Sequence, residues 1–202
     1  MATFLSALMA SVTMFLLGQA AASGARSLAS HRFDVSSPDS DFQTIIPDWV
    51  DSYDAPYVSV SATFGSQVVA TGQNFKQAQT RKPPVVSISD VHARKGDLFT
   101  LVMVDPDAVS PAKPIYRNYL HWIVTNIPTG TTDVYKHGTN VVAYAPPSPP
   151  MDVHRYYILL FKQKNEISAE PITSRQRFSV RKFSDKHSLS FPVGGLYFTV
   201  EA

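Results

Sequence analysis

Three short strings carry the side chains best suited to chemistry in this chain of 202 residues: Asp105-Pro106-Asp107, His121-Trp122 and His154-Arg155-Tyr156. Each string lies at one end of an apolar run typical of a β-strand. These runs are Leu98–Val104, His121–Ile127 and Tyr156–Phe161. If the first two runs form an antiparallel hairpin, the carboxylate of Asp105 and the imidazole of His121 meet at one end of a sheet. Such a pair suits either general-base catalysis or the floor of an anion-binding pocket.

An enzyme is the weaker interpretation because no nucleophile accompanies the pair. The chain has no cysteine and no Gly-x-Ser-x-Gly turn, and Ser110 lies in a proline-flanked loop. The histidines have no spacing typical of metal ligands. We therefore predict a non-enzymatic protein without a metal or cofactor. In this interpretation Asp105 raises the pKa of His121 and keeps it charged, so that it can donate to a phosphate.

Each string also has a structural interpretation. Aspartates beside proline favour a tight turn, and a lone histidine at a strand start is usually a packing residue. We expect Arg155 to form a structural salt bridge with Asp107. The segment Pro146–Pro150 contains four prolines in five residues. It could be a stiff pocket wall, a rigid loop, or a polyproline ligand for another protein.

The composition predicts one mainly β domain. Fifteen prolines, 17% charged residues and eight or nine short apolar runs between Pro/Gly turns favour an antiparallel Greek-key β-sandwich with few short helices. The net charge of +2 gives no reason to expect nucleic acid binding. We interpret the basic cluster from Arg175 to Lys182 as a solvated face beside a short strand, Phe178–Val180. We expect a monomer.

The N-terminus resembles a secretory signal. The first 25 residues carry no charged side chain, Phe4–Leu17 is mainly apolar, and small residues follow. We predict a signal peptide over 1–22, a flexible segment over 23–40 and the folded domain over 41–202, with a short helix or turn within 41–54. The mature chain would be extracellular and would have no transmembrane segment. A signal anchor or a disordered tail is the alternative for the first segment.

Several motifs together resemble the phosphatidylethanolamine-binding protein family, which includes the Raf kinase inhibitor and plant florigen-type proteins. The longest begins at Asp105-Pro106-Asp107-Ala108 and continues through Tyr116–Val124 to Ile127-Pro128. Others are His154-Arg155-Tyr156, Arg181-Lys182-Phe183 and Pro192–Phe198. The resemblance spans about Tyr57 to Val200.

The resemblance implies a large sheet packed on a smaller one, with an anion-binding cavity at the sheet edge. Its pocket residues would be Asp105, Tyr119, His121, Pro146, Pro147 and Tyr156. Asp107, Arg117, His154 and Arg155 would support them structurally, and a cis peptide would join Arg117 to Asn118. The implied partner is a phospholipid head group or another phosphate-bearing anion. Some members are protease inhibitors, so a protease or other protein is the alternative partner.

Two positions depart from the family pattern. Val109 replaces a second proline, which softens one pocket wall, and Asp152 replaces a glycine, which adds negative charge near the mouth. Because few residues follow Phe198, we expect the C-terminal helix of the animal members to be missing. A kinase-regulating role like that of the animal members is therefore not expected.

Overall fold

The computed structural model describes residues 57–202. The predicted signal peptide, flexible segment and short helix over 41–54 lie outside the described residues. Within them the fold is mainly β. Its strands are β1 Val58–Phe64, β2 Gln67–Val68, β3 Asn74–Lys76, β4 Val85–Asp90, β5 Leu98–Asp105, β6 Tyr119–Pro128, β7 Thr139–Val142, β8 Val153–Gln163 and β9 Pro192–Glu201. The helices are a 3₁₀ turn, Gln77–Thr80, and two α-helices, α1 Val134–His137 and α2 Val180–Lys186.

The strands form two sheets that pack on each other. The smaller sheet has the order β2-β1-β4, and the larger one β3-β9-β8-β5-β6-β7. Because β8 returns to lie beside β5, strands β5 to β8 have the Greek-key order, which confirms the predicted fold class. One pair departs from the antiparallel prediction: β3 crosses from the small sheet to the edge of the large one and runs parallel to β9.

The central strands of the large sheet are apolar on both sides because both faces are covered. On one face, Phe99, Trp122 and Tyr156 pack with residues of β1 and β4. At Gly194 a Cβ would lie 2.4 Å from the Val58 carbonyl oxygen, so glycine permits this close approach of the sheets. On the other face, Val104, Tyr157 and their neighbours pack against α2 and the chain before it.

The predicted strand at Phe178–Val180 is wrong, because α2 begins there. The side chain of Ser179 accepts a hydrogen bond from the Lys182 amide and caps the helix. Val180 and Phe183, three residues apart, are both buried on the inner helix face. A run of three residues is too short to distinguish the period of a strand from that of a helix. The basic cluster therefore lies on a loop and a helix rather than on a strand.

In the described part of the chain, no helix is long and apolar enough to cross a membrane.

Candidate functional site

The three motifs that begin at Asp105, His121 and His154 meet at one end of the large sheet, as predicted. Asp105, the last residue of β5, lies opposite Tyr119, the first residue of β6. On the other side of β5, Val104 lies opposite Tyr157 of β8. The antiparallel register therefore brings the end of β5 to the beginnings of both neighbouring strands.

Asp105 binds His154 rather than His121. Its side chain is buried, with 3% of the residue exposed. One carboxylate oxygen accepts the Asp107 amide at 2.6 Å, and the other bonds to His154 Nδ1 at 2.8 Å. The first contact closes a tight turn around Pro106, and the second joins this turn to β8. Both oxygens of Asp105 are thus already engaged.

Asp107 and Arg155 form the predicted salt bridge. The two Asp107 oxygens accept from Arg155 Nη2 at 2.8 Å and from Arg155 Nε at 2.9 Å. Asp107 also accepts the Arg155 backbone amide at 2.9 Å. This two-pronged geometry holds the Asp-Pro-Asp turn against the start of β8.

His121 has a lowered pKa, so the predicted charged ring is wrong, although Asp105 does raise the pKa as predicted. The residue is 5% exposed, and burial of the charged ring lowers the pKa more than the Ala145 carbonyl and the charge of Asp105 raise it. The charges of Arg175 and His154 lower it further. Nδ1 lies 2.7 Å from the Ala145 carbonyl oxygen, which can only accept. Nδ1 therefore carries the proton, and Nε2 of the neutral ring is an unprotonated acceptor.

His154 has a raised pKa. Burial alone would lower it, but the hydrogen bond to Asp105, the charges of Asp105 and Asp107, and the nearby Val109 backbone together outweigh burial. Its Nε2 is buried without a hydrogen-bond partner among residues 57–202. The sequence predicted that Asp105 pairs with His121 and that His154 is structural support. In the structure Asp105 pairs with His154 instead.

The aromatic rings of the site converge on His121. Tyr119 and Tyr156 both have ring centroids 5.1 Å from His121, and Tyr156 also stacks on Phe198 at 5.5 Å. Tyr156 is 1% exposed, and burial raises the pKa of its hydroxyl. Neither the Tyr156 hydroxyl nor His121 Nε2 bonds to another residue in the described range. These two polar atoms remain available to a ligand.

Ala145, the residue before the proline segment, is hydrogen-bonded to His121. The Ala145 amide donates to the His121 carbonyl at 2.8 Å, while the Ala145 carbonyl accepts from the His121 ring. Pro146, which follows, is exposed, and Pro147 is buried. Gln77 holds the far end by donating to the Pro149 carbonyl at 3.1 Å. The segment is therefore fixed at both ends, as expected of a wall.

Sequence reasoning missed the role of Arg175. Its Nη1 donates to the Leu120 and His121 carbonyls, both at 3.0 Å, and its Nη2 donates to the Ala143 carbonyl at 2.7 Å. Arg175 thus joins the start of β6 to the chain that leads into the proline segment. An arginine within a basic run gives no signal of this role, because its acceptors are backbone atoms that lie far away in sequence.

Asp152 and Val109, which depart from the family pattern, both lie at unusual backbone conformations. Asp152 has φ of 59°, a left-handed conformation in which glycine is favoured and aspartate is tolerated. The peptide between Arg117 and Asn118 is cis, as the resemblance implied, and so is that between Ala108 and Val109. Arg117 is exposed beside the strand start rather than part of the buried cluster.

Neither a serine nucleophile nor a metal cluster is found beside His121 in the described part of the chain. Ser110, the serine nearest the site in sequence, accepts the Lys113 amide within its own loop at 3.2 Å. Across residues 57–202, no group of three or more His, Cys, Asp or Glu side chains could hold a metal ion. The buried Asp105–His154 pair and the partly exposed Asp107–Arg155 pair fix the frame around the His121 imidazole and the Tyr156 phenol.

The fold is a Greek-key β-sandwich with a buried polar cluster at one end of its central strands. Residues 65–198 match the model of the family described as "Phosphatidylethanolamine-binding protein". The chain is 38% identical to Protein TWIN SISTER of FT of Arabidopsis thaliana over 71% of this chain and 80% of that protein. It is 42% identical to Protein SELF-PRUNING of Solanum lycopersicum over 74% and 84%. Its fold resembles the phosphatidylethanolamine-binding protein from Plasmodium vivax, with a TM-score of 0.66, 21% identity, and coverage of 80% and 94%. The chain belongs to the phosphatidylethanolamine-binding protein family.

Proposed function

We propose that this protein is a secreted, non-enzymatic binding protein whose site at Asp105, His121 and Tyr156 takes a phosphate-bearing anion such as a phosphoethanolamine head group. The observation that carries the proposal is the pair of uncommitted polar atoms, His121 Nε2 and the Tyr156 hydroxyl, on rings 5.1 Å apart. The other charged side chains of the cluster are engaged in fixed contacts. The Tyr156 hydroxyl can donate to a ligand oxygen, and His121 Nε2 can do so once the ring is protonated.

The charge balance of the site favours an anion. Asp105 is paired with His154, and Asp107 is paired with Arg155. Arg175 binds three carbonyls behind His121, and none of these contacts is to a carboxylate. Its positive charge is therefore not neutralised within the cluster, and it lies at short range from His121.

Binding of a phosphate would require His121 to take up a proton. The Ala145 carbonyl already uses the Nδ1 proton, so Nε2 can donate to a phosphate only after the ring is protonated. The lowered pKa keeps the ring neutral in the free protein at neutral pH. A bound anion stabilises the charged ring and raises its pKa. Affinity should therefore fall as pH rises, with proton uptake on binding near neutrality.

Isothermal titration with O-phosphoethanolamine tests the proposal, with inorganic phosphate and ethanolamine as separate ligands. Titrations at about pH 5 to 9, in buffers of different ionisation enthalpy, give both affinity and proton uptake. We expect His121→Ala to weaken binding and to remove the proton uptake by the protein, leaving the pH dependence of the phosphate itself, whose second pKa is about 6. His137→Ala removes an exposed histidine of α1 and is the matched control. Equal affinities for wild type and His121→Ala would overturn the assignment. Binding of ethanolamine alone would show that the cation, not the phosphate, is recognised.

Secretion is part of the proposal and rests on the uncharged, apolar N-terminus. Expression of the full chain in a eukaryotic host, followed by N-terminal sequencing of protein from the medium, tests it. Cleavage within about residues 18–24 is expected. Full-length protein retained in the cell would contradict it.

The alternative function is an interaction module that inhibits a protease or modulates a signalling protein. The proline segment favours it, because Pro146, Ser148 and Pro150 are exposed while Pro147 and Pro149 anchor the loop. A rigid exposed loop binds without a large loss of entropy. Inhibition of a test protease such as carboxypeptidase Y that survives His121→Ala but is lost on replacement of Pro146–Pro150 by Gly and Ser would favour this function over head-group binding.

A further inference from the structure

A concave site lies on the opposite face of the large sheet from the His121 cluster. It is a groove of about 450 Å³ between the segment 170–174 and helix α2. Its volume lies within the range of ordinary ligand sites. Phe183, which lines it, packs with the residues of the second core, whereas Tyr156 packs on the first. The groove is thus separated from the proposed anion site by the sheet.

The groove combines an aromatic base with a positively charged rim. Phe178 and Phe183 line it with ring centroids 5.8 Å apart, and both are at least partly buried. Arg177, Lys182 and Lys186 line it with exposed side chains. Such a surface suits a ligand that has both apolar and negatively charged groups.

Part of this charge is uncompensated. Lys186 pairs with Glu170 at 2.6 Å, and both side chains are largely exposed. Lys182 forms no ion pair within residues 57–202, and Arg177 makes one side-chain contact there, from Nε to the Ile115 carbonyl. Glu170 is the single acidic residue among those that line the groove. The rim therefore has a net positive charge.

The wall opposite α2 is an irregular backbone segment. Ile172, Thr173 and Ser174 lie outside any helix or strand, and their amide and carbonyl groups do not bond to residues in the described range. Peptide ligands commonly pair with exposed backbone groups of this kind. An extended peptide can use both the amides and the carbonyls, whereas a phosphate can use only the amides.

The spacing of the lysines fits an extended acidic chain. Lys182 and Lys186 lie one helical turn apart, which places their Cβ atoms about 5–6 Å from each other. Alternate residues of an extended peptide are about 6.5–7 Å apart and project on the same side. Two acidic residues separated by one residue can therefore face both lysines, while the residue between them faces the opposite side.

We propose that this groove binds an extended acidic peptide segment of a partner protein, through its backbone at Ile172–Ser174 and its carboxylates at Lys182, Lys186 and Arg177. The bound segment would add main-chain hydrogen bonds at one wall and ion pairs at the other. Apolar side chains beside the carboxylates would cover Phe178 and Phe183.

Fluorescence anisotropy tests this with a fluorescein-labelled peptide that alternates glutamate with valine, using the full chain. We expect saturable binding that Lys182→Glu combined with Lys186→Glu weakens by about tenfold or more. Lys82→Glu combined with Lys95→Glu is the control matched in charge, since both lysines are exposed and neither lines the groove. The control should stay within about twofold of wild type. Glu170→Gln releases Lys186 and should tighten binding by about two- to threefold.

The binding position is checked by amide chemical shifts in NMR. Shifts at Ile172, Thr173 and Ser174, with slowed amide exchange there, support the proposal. Equal loss of affinity in both lysine pairs would overturn it, as would shifts confined to Asp105 and Tyr156. Complete competition by inorganic phosphate, or binding to phosphatidylserine vesicles without binding to the peptide, would show a different ligand class.

Discussion

Replacement of Asp105 by asparagine should destabilise the protein by an amount that depends on pH. Asp105→Asn keeps the shape of the side chain and removes its charge. The asparagine oxygen can still accept the Asp107 amide, and its NH₂ group can donate to a neutral His154 with the other tautomer. A hydrogen bond to a charged group contributes about 1.5–3 kcal/mol and a neutral one about 0.5–1.5. The expected cost is therefore about 1–2 kcal/mol where His154 is charged.

The sign of the pH dependence follows from the direction of each shift. The raised pKa of His154 means that its stabilising contribution is fully present below the unfolded value of about 6.5 and is lost as pH rises through the folded pKa. The lowered pKa of His121 has the opposite sense, since the unfolded chain binds more protons below about 6.5. Asp105 opposes this lowering, so its removal also costs most at low pH. Both effects make the difference between wild type and Asp105→Asn larger at about pH 6 than at pH 9.

Urea unfolding of both proteins at about pH 6, 7.5 and 9 measures this difference. In a chain of this size each kcal/mol should also change Tm by about 2–4 °C. A double-mutant cycle with His154→Gln separates the two histidines, because the His154 part of the dependence should vanish in that background. A difference that is constant with pH, or larger at pH 9, would refute the ion pair between Asp105 and His154.

Three further changes test other parts of the structure. Arg175→Met should raise the pKa of His121, measured by NMR titration, because a nearby positive charge is removed; an unchanged pKa would contradict this. Asp152→Gly should tighten phosphoethanolamine binding by about two- to threefold without loss of stability, because it removes a charge near the site and suits a φ of 59°. Asp152→Asn is its control, and weaker binding in both would contradict the expectation. Ser179→Ala should cost about 0.5–2 kcal/mol in urea unfolding through loss of the cap on the Lys182 amide, and no measurable cost would argue against that cap.

The strand framework could be predicted from sequence because its signals are local and long. The runs that become β5, β6 and β8 are apolar enough to be recognised, and Pro106 marks where β5 ends. The short helix α2 was not recognised, because Phe178–Val180 looks the same as a short strand when neighbouring packing is unknown. The parallel pairing of β3 with β9 joins residues about 125 positions apart, and no local pattern specifies it.

The residues of the site could be predicted from the sequence, but not which histidine pairs with Asp105. Two histidines, His121 and His154, were available as partners for Asp105. Strand order places both near its carboxylate, since β6 and β8 flank β5. Side-chain direction decides between them, and a sequence does not contain it. The same limit concealed Arg175, whose partners are carbonyl groups with no sequence signature.

The pairing of Asp105 with His154 rather than with His121 changes how the site would bind an anion. If Asp105 were the partner of His121, the ring would be charged in the free protein and an anion would meet a permanent cation. With Asp105 held by His154, His121 is instead a buried neutral ring whose proton must arrive with the ligand. Part of the binding free energy of the anion is then used to protonate the buried ring. Affinity at neutral pH should therefore be modest and should increase on acidification. His154, whose pKa is raised, is mainly charged below about pH 6.5, where the free His121 ring takes up its proton. The pH dependence of binding should therefore report on His121, while that of stability reports on both histidines.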